Sequence, residues 1–457
     1  MHGFRTEQDA MGQVEIPAQA YYGAGTMRAV QNFIHSGLRL PACFIQELAR
    51  IKKHAARVNA ELGQIAPAVA RAIQQSAQEV QSGELLEQFV VDLFQTGSGT
   101  STNMNLNEVL ACRANEIITG QKQGKSPVHP NDHVNLGQSS NDVIPTAIHT
   151  SAALGLRHRL EPALQELAQD LEAKALEFEH IKKIGRTHLQ DAVPITLGQE
   201  FSGYAAQIRQ GRQRIEQAGA ELLQLALGGT AVGNGLNTHP EFAARVIQGL
   251  SRETGIEFQE AHNHFAAQAA QDASVQVSAA LRTLAVSLVK IAGDLRWLSS
   301  GPRCGLGEIN LPALQPGSSI MPGKVNPVIP ESILQIAAKV QGNDASIALG
   351  GQGGQFQLNT MLPLIAYNLL QSVELLALGS ESFTRKCIRD ISANQEKCEE
   401  NVYRSLALAT FLQPWLGYDQ AAEVAGKAQA SGQDILDILR QEGLLSEDEI
   451  QELISRI

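Results

Sequence analysis

The chain has 457 residues, 43% of them apolar, 18% charged and only 5% aromatic. At roughly 150 residues per domain, that length suggests about three domains or one large elongated unit, and the apolar fraction excludes disorder. With 36 basic against 47 acidic residues the formal charge is −11, and no basic stripe forms; this excludes nucleic acid and an anionic membrane as partners, and leaves a small anion in a locally positive pocket. Five widely spaced cysteines, none in a C-x-x-C, exclude a disulfide framework and a Cys-based zinc site. The start of the chain lacks an apolar signal core and no uninterrupted apolar run reaches membrane-spanning length, so the expectation is a soluble, cytoplasmic protein.

Scarce aromatics leave the core to Leu, Ile, Val and Ala, which favours helix-on-helix packing. In the N-terminal part, helix-like runs over Phe44–Leu62 and Pro67–Val80 alternate with Gly/Asn/Ser-rich breaks. Further on, Leu160, Leu164, Leu167, Leu171, Phe178 and Ile181 keep 3/4 spacing with Lys174 as the one polar interruption, as do Tyr204, Ile208, Gly211, Ile215, Ala218, Leu222 and Leu225. Leu281, Leu284, Leu288, Ile291 and Leu295 form a third stripe. Such seams specify long helices packed at shallow angles in a bundle. Near the end, Gly443 fits a helix C′ position, and Ser446 with Glu449 fits a capping box that starts a last helix. No strand-period segment stands out.

The expected fold is all-α: an elongated three-domain chain with a mostly helical N-terminal domain (1–138), a central long-helix bundle (139–391) and a small C-terminal helical domain (392–457). Three long apolar seams exceed what one chain covers, so the bundle is expected to form the core of a homo-oligomer.

Four polar, glycine-punctuated segments interrupt the helical pattern. They are Thr96–Asn105, His129–Asp142, Gly185–Asp191 and Gly317–Pro327. Singly, each reads as a turn or a helix cap, because Ser, Thr, Asn and Gly dominate both. Together they supply hydroxyl, amide and N–H donors plus Lys324, which describes a pocket for a small dicarboxylate. In the fourth segment Pro322-Gly323 makes a turn and Asn326-Pro327 a helix start, and Lys324 and Asn326 can hold one carboxylate by charge and by amide donor.

The segment Gly317-Ser318-Ser319-Ile320-Met321-Pro322-Gly323-Lys324-Val325-Asn326-Pro327 resembles the signature loop of the class II fumarase/aspartase superfamily, and the resemblance extends over essentially the whole chain. His129-Pro130-Asn131-Asp132 and Gly97-Ser98-Gly99-Thr100 narrow it to the fumarases and aspartases. Gln138-Ser139-Ser140-Asn141-Asp142, His129 and Arg296-Trp297 lean towards the fumarases. Ala20-Tyr21-Tyr22-Gly23, Asn326-Pro327-Val328-Ile329-Pro330-Glu331 and Gln315 look aspartase-like. Two activities therefore stand: addition of water to fumarate, and as the alternative addition of ammonia to give L-aspartate.

Either reaction passes through an aci-carboxylate that needs preorganised positive potential. The resemblance implies that Lys324, Asn326 and Thr187 stabilise it, that Ser318 is the base, and that His188, paired with Glu331, handles the leaving water. Ser98, Thr100, Ser139, Ser140, Asn141 and Ser319 then complete the substrate site, and His129, Asn131 and Asp132 match a second anion site. His133 stands where some fumarases carry a further Asp, which weakens that second site. No metal or other cofactor is called for, since no His/Cys/carboxylate cluster has ligand spacing. The family further implies a homotetramer whose active sites are each built from three chains, acting on a small dicarboxylate.

Overall fold

The computed structural model describes residues 3–122 and 124–456. Helix dominates, as composition and periodicity lead one to expect: sixteen α-helices against short two-stranded sheets among the described residues. The chain divides into two compact units. The first comprises Met1–Pro162, Gln213–Ala285 and Ala338–Ala377, the second Ala163–Arg212, Val286–Ala337 and Leu378–Ile457.

In the first unit, the helix Ala42–Glu61 turns Leu48, Ile51, Ala55 and Val58 inward. It packs against the helices Pro67–Gln81, Ser140–Gly155 and Phe242–Thr254. The two runs read as helical near the N-terminus thus appear as helices within a residue or two of their expected bounds. The stripe Leu281–Leu295 is buried throughout, on the helix Asp272–Leu298. By length and composition, Asp272–Leu298 and Leu362–Asp390 would suffice to cross a membrane. The first of these carries Arg282, Lys290, Asp294 and Arg296 along its length, an expensive set for a lipid environment.

Two seams end sooner than their spacing predicts. The helix Leu197–Gly219 stops before Leu222, which lies in a 3-10 turn, and Leu225, which lies in a two-residue strand. Both remain fully buried; a period read from burial alone does not register where the backbone leaves the helix. Likewise Phe178 lies just past the helix Glu161–Glu177. There it stacks edge-on against Phe201, with centroids 5.3 Å apart.

Strands that the sequence does not betray form five two-stranded sheets among the described residues, the longest being the hairpins Phe4–Asp9 with Gly12–Pro17 and Lys182–Thr187 with Gln190–Thr196. The first strand has no buried position. The third buries Lys183, and Arg186 is half-buried, through an ionic cluster rather than through alternating apolar residues, so the usual period-two signal is absent.

Residues 402–453 contribute a hydrophobic cluster of their own, including Leu408, Leu412, Ile435, Leu439, Ile450 and Leu453. The last helix starts on the expected capping box. Ser446 N–H donates to the Glu449 carboxylate at 2.7 Å, and Glu449 N–H returns to Ser446 Oγ at 3.3 Å.

Candidate active site

Two of the four polar segments meet in the first unit. Thr100 opens the helix Thr100–Thr119, and Ser98 Oγ lies 2.7 Å from Thr100 Oγ1. The backbone at Gly97 runs against the segment ahead of the helix starting at Leu362: Leu362 N–H donates to Gly97 O at 2.9 Å, and a Cβ on Gly97 would fall 1.8 Å from Thr360 O. Only glycine fits there.

Ser139 caps the helix Ser140–Gly155. Its Oγ accepts from Asn141 N–H, and the buried Asp142 carboxylate accepts from Ser139 N–H at 2.8 Å. The other carboxylate oxygen of Asp142 receives Gly228 and Thr230 N–H at 3.1 and 3.0 Å. Burial pushes the Asp142 carboxyl up, against the pull of these amides and of Lys52. Asn141 Nδ2 is tied to Ala231 O at 2.8 Å. Ser140 is buried and receives Asn103 Nδ2 on its Oγ at 3.2 Å. This joins the Thr100 helix to the Ser140 helix, so Ser98, Thr100, Ser139, Ser140 and Asn141 form one donor-rich corner around two helix N-termini, a favourable place for a carboxylate.

The second anion segment is a single π-type turn, Pro130–Val134, capped by His129. His129 Nδ1 accepts from both Asn131 and Asp132 N–H at 3.2 Å. That ring nitrogen is therefore an acceptor here, and it occupies both amides. Asn131 and Asp132 are exposed.

The remaining segments belong to the second unit. Thr187 and His188 lie at the tip of the Lys182–Thr196 hairpin, where Thr187 pairs with Gln190. His188 and Leu189 hold φ of 55° and 59°. A two-residue turn of that hand normally takes Asn-Gly, so the tip keeps two side chains in a strained conformation of the sort found at functional sites. The hairpin is braced from below by Glu308, fully buried, which takes Arg186 Nη2 at 2.7 Å and Lys183 Nζ at 3.2 Å. Burial pushes the Glu308 carboxyl up, but the Arg186 hydrogen bond and the two cations outweigh it and hold it below the usual range.

The loop Gly317–Pro327 closes on itself. Gly317 N–H donates to Lys324 O at 2.7 Å, and Asn326 Nδ2 donates to Gly317 O at 2.8 Å. A Cβ on Gly317 would lie 2.7 Å from Lys324 O, which makes glycine a condition of closure. Ser318 Oγ accepts two backbone N–H groups, from Ile320 at 3.3 Å and Met321 at 3.1 Å. Ser319 and Lys324 are exposed, and Glu331 is half-buried in the first turn of the helix Val328–Gly351.

The structure thus joins the segments that carry Thr100 and Ser140 in the first unit, and places the hairpin tip with Thr187 and His188 and the loop with Ser318, Lys324 and Asn326 in the second. Within one chain it does not pair His188 with Glu331: neither side chain has a hydrogen-bond or ion-pair partner among the described residues. Of the supporting residues, Asn103 and Asn135 lie within the polar segments without an individual role in the sequence reading, and Lys52 and Asn107 fall outside them. Their signal was polar residues at core spacing: Lys52 falls in the buried stripe with Leu48, Ala55 and Asn59, and Asn103 and Asn107 continue the Thr100 face.

Comparison with known proteins agrees with this geometry. A family model described as Lyase matches residues 12–342, and one described as Fumarase C C-terminus matches residues 408–456. A class II fumarate hydratase from Nitrosomonas europaea is 54% identical over 428 residues, 94% of this chain and 93% of the relative. A mitochondrial fumarate hydratase from Saccharomyces cerevisiae is 49% identical over 453 residues, 99% of this chain and 93% of the relative. A solved class II fumarase from Schistosoma mansoni matches at a TM-score of 0.95 and 40% identity, over 99% of this chain and 98% of that one. The chain belongs to the class II fumarate hydratase family of lyases.

Proposed function

We propose that the chain catalyses the reversible anti addition of water to fumarate, giving L-malate through an aci-carboxylate intermediate. The observation that carries this reading is the Ser318 oxygen held by two backbone N–H groups. A serine is a poor base unless its alkoxide is stabilised, and two converging amides supply that stabilisation without a charged partner.

In the direction of elimination, the Ser318 alkoxide takes the proton from the carbon beside one carboxylate, and the electron pair moves into that carboxylate. Lys324, as a point charge, and Asn326 and Thr187, as directed donors, stabilise the added negative charge. Asn326 is positioned for this by its bond to Gly317 O. The carbon–oxygen bond on the neighbouring carbon then breaks, His188 protonates the departing hydroxide, and water and fumarate leave. Ser98, Thr100, Ser139, Ser140 and Asn141 hold the second carboxylate, with Ser319 joining from the loop. His129, Asn131 and Asp132 form an accessory anion site that an anion can occupy only after the His129 ring releases the two amides.

The working molecule in this reading is a cytoplasmic homotetramer with each site built from three chains, on domains bounded at 138 and 391. Two features support self-assembly. Val286, Trp297, Leu349 and Leu378 are exposed on the long helices, and His188 and Glu331 each await a partner, which another subunit would provide. The test is the ultraviolet absorbance of fumarate with purified protein. Consumption without ammonium, yielding malate, is expected. Consumption that requires ammonium and yields aspartate would replace the hydratase by an ammonia-lyase.

A further inference from the structure

Lys52 is fully buried in the first unit and forms no direct ion pair among the described residues. Its Nζ donates to Asn135 Oδ1 at 2.8 Å. The same oxygen accepts from Asn103 Nδ2 and Asn107 Nδ2, each at 3.2 Å, while Asn135 Nδ2 is turned away to Gln138 O at 3.2 Å. Asn103 Nδ2 also reaches Ser140 Oγ at 3.2 Å, and its own Oδ1 is buried without a partner.

The direction of every bond in this chain is set at its lysine end. Burial brings the Lys52 amine down to about 7 against the pull of the Asp142 charge, and in its ammonium form it can only donate, so Asn135 presents its oxygen. That oxygen requires Asn103 to present its NH₂; the reversed amide would set two carbonyl oxygens face to face. The NH₂ of Asn103 then donates to Ser140 Oγ as well. A hydroxyl that accepts from within has its own proton free to donate outward.

We infer that Lys52 is a positioning residue for substrate binding: acting through Asn135 and Asn103, it fixes the polarity of the Ser140 hydroxyl so that Ser140 donates to the substrate carboxylate. A buried polar relay of this kind is worth its desolvation only when every link points the same way. The inference rests on the reading of Ser140 as a carboxylate-holding group.

The test is a double-mutant cycle on the intact oligomer, read as KM and kcat. Ser140→Ala should raise KM about tenfold or more, the loss expected for a hydrogen bond to a charged group. Lys52→Met should raise KM ~3- to 10-fold with kcat changed less than about threefold, and should have less than about a twofold effect in the Ser140→Ala background, because the orientation it controls no longer exists there. Asn103→Leu, an uncharged near-isostere that removes the last link, carries the same expectation if Lys52→Met does not fold. A general loosening of the core would raise KM equally in both backgrounds. An equal rise, or no rise in wild type, overturns the relay. An unchanged KM in Ser140→Ala alone overturns the role of Ser140 itself, and the relay with it.

Discussion

The start of the Ser140 helix and the Gly317–Pro327 loop are both polar, serine-rich and proposed to touch substrate, yet they are built in opposite ways. At the helix, Asp142 is buried under three amides, Asn141 is tied to a neighbouring carbonyl and Ser140 is held by Asn103. In the loop, residues 319–325 are exposed, and closure rests on a few bonds from the loop to itself. The difference follows from the two tasks. A carboxylate that stays the same throughout the reaction is best met by rigid, prepaid donors, whereas charge that appears only in the transition state favours groups completed on closure. On the proposed mechanism, one region is a finished binding surface, and the other a set of reactive groups to be completed by loop closure and assembly.

The largest effect expected of this contrast is on kcat. Ser318→Ala should lower kcat by ~10²–10⁴, the range for a positioned acid/base group, with KM kept within a few-fold. The Ser140 variant should do the reverse and act mainly on KM. His188→Asn belongs with Ser318. Steady-state kinetics of the three variants decide the matter: a Ser318→Ala enzyme within a few-fold of wild type, or one impaired only in KM, would erase the distinction between the two regions.

If the proposed tetramer combines a Ser140 region from one chain with a Ser318 region from another, the two impaired variants should complement when assayed with fumarate well below KM. Ser140→Ala and Ser318→Ala homotetramers mixed by co-expression should regain activity. With random assortment in equal amounts, about one quarter of the sites draw both intact regions from a symmetric assembly. Activity no higher than the sum of the parents, with mixing verified by mass spectrometry, would assign each site to a single chain.

How much of this was open to reading from the sequence differs between the same two regions. The helical bundle was legible, because Leu281 to Leu295 repeat at a spacing that only a helix buries on one side. The loop was legible too, because Gly317, Pro322-Gly323 and Asn326-Pro327 are turn residues whose density has no other use. The hairpin carrying His188 was not legible as strand, since its inner face is made of Lys183 and Arg186 neutralised by Glu308, a residue over a hundred positions away. The support beneath Ser140 was equally hidden. Lys52 and Asn135 are separated by 83 positions, and no local pattern marks two polar residues that become partners only in the folded core. The proposed acid/base residues follow from the resemblance, not from spacing.

Two glycines separate the regions more finely. A methyl group on Gly317 would strike Lys324 O at 2.7 Å, and one on Gly97 would strike Thr360 O at 1.8 Å. In the exposed loop, Gly317→Ala should displace Ser318 and Lys324 and cost up to ~10² in kcat, the penalty for misplacing reacting groups by about 1 Å. Its unfolding midpoint should stay near that of wild type. Gly97→Ala forces apart packed backbone in the first unit, so its main effect should be on stability, at about 1–3 kcal/mol or more. Chemical denaturation alongside kinetics measures both. A Gly317 variant that unfolds early while keeping its kcat would mean the loop is part of the scaffold.

The smallest effect concerns scaffold alone and controls for the rest. Glu253, on the helix Phe242–Thr254, gathers Arg50, Lys53, His54 and Gln81 onto one partly exposed carboxylate, tying three helices of the first unit together. Burial pushes this carboxyl up, but hydrogen bonds from Lys53 and Gln81 and the charges of Arg50 and Lys53 outweigh it and hold it at about 2. Because the folded value lies below the ordinary 4.5, the unfolded chain binds this proton more readily, and the stabilisation is complete above pH 4.5 and fades as the pH falls towards 2. Glu253→Gln keeps an acceptor and loses the charge. It should therefore lower stability by only about 1 kcal/mol at pH 7, given the solvent screening of a partly exposed group. The gap from wild type should hold in urea titrations from pH 7 to about pH 4.5 and narrow below that, towards pH 2. Both kinetic constants should match wild type at neutral pH, because the cluster touches neither Ser140 nor the relay from Lys52. A Glu253→Gln enzyme with a raised KM would mean that the binding surface is tuned by the whole helix packing beneath it, and that its rigidity does not end at the hydrogen bonds around Asp142 and Asn135.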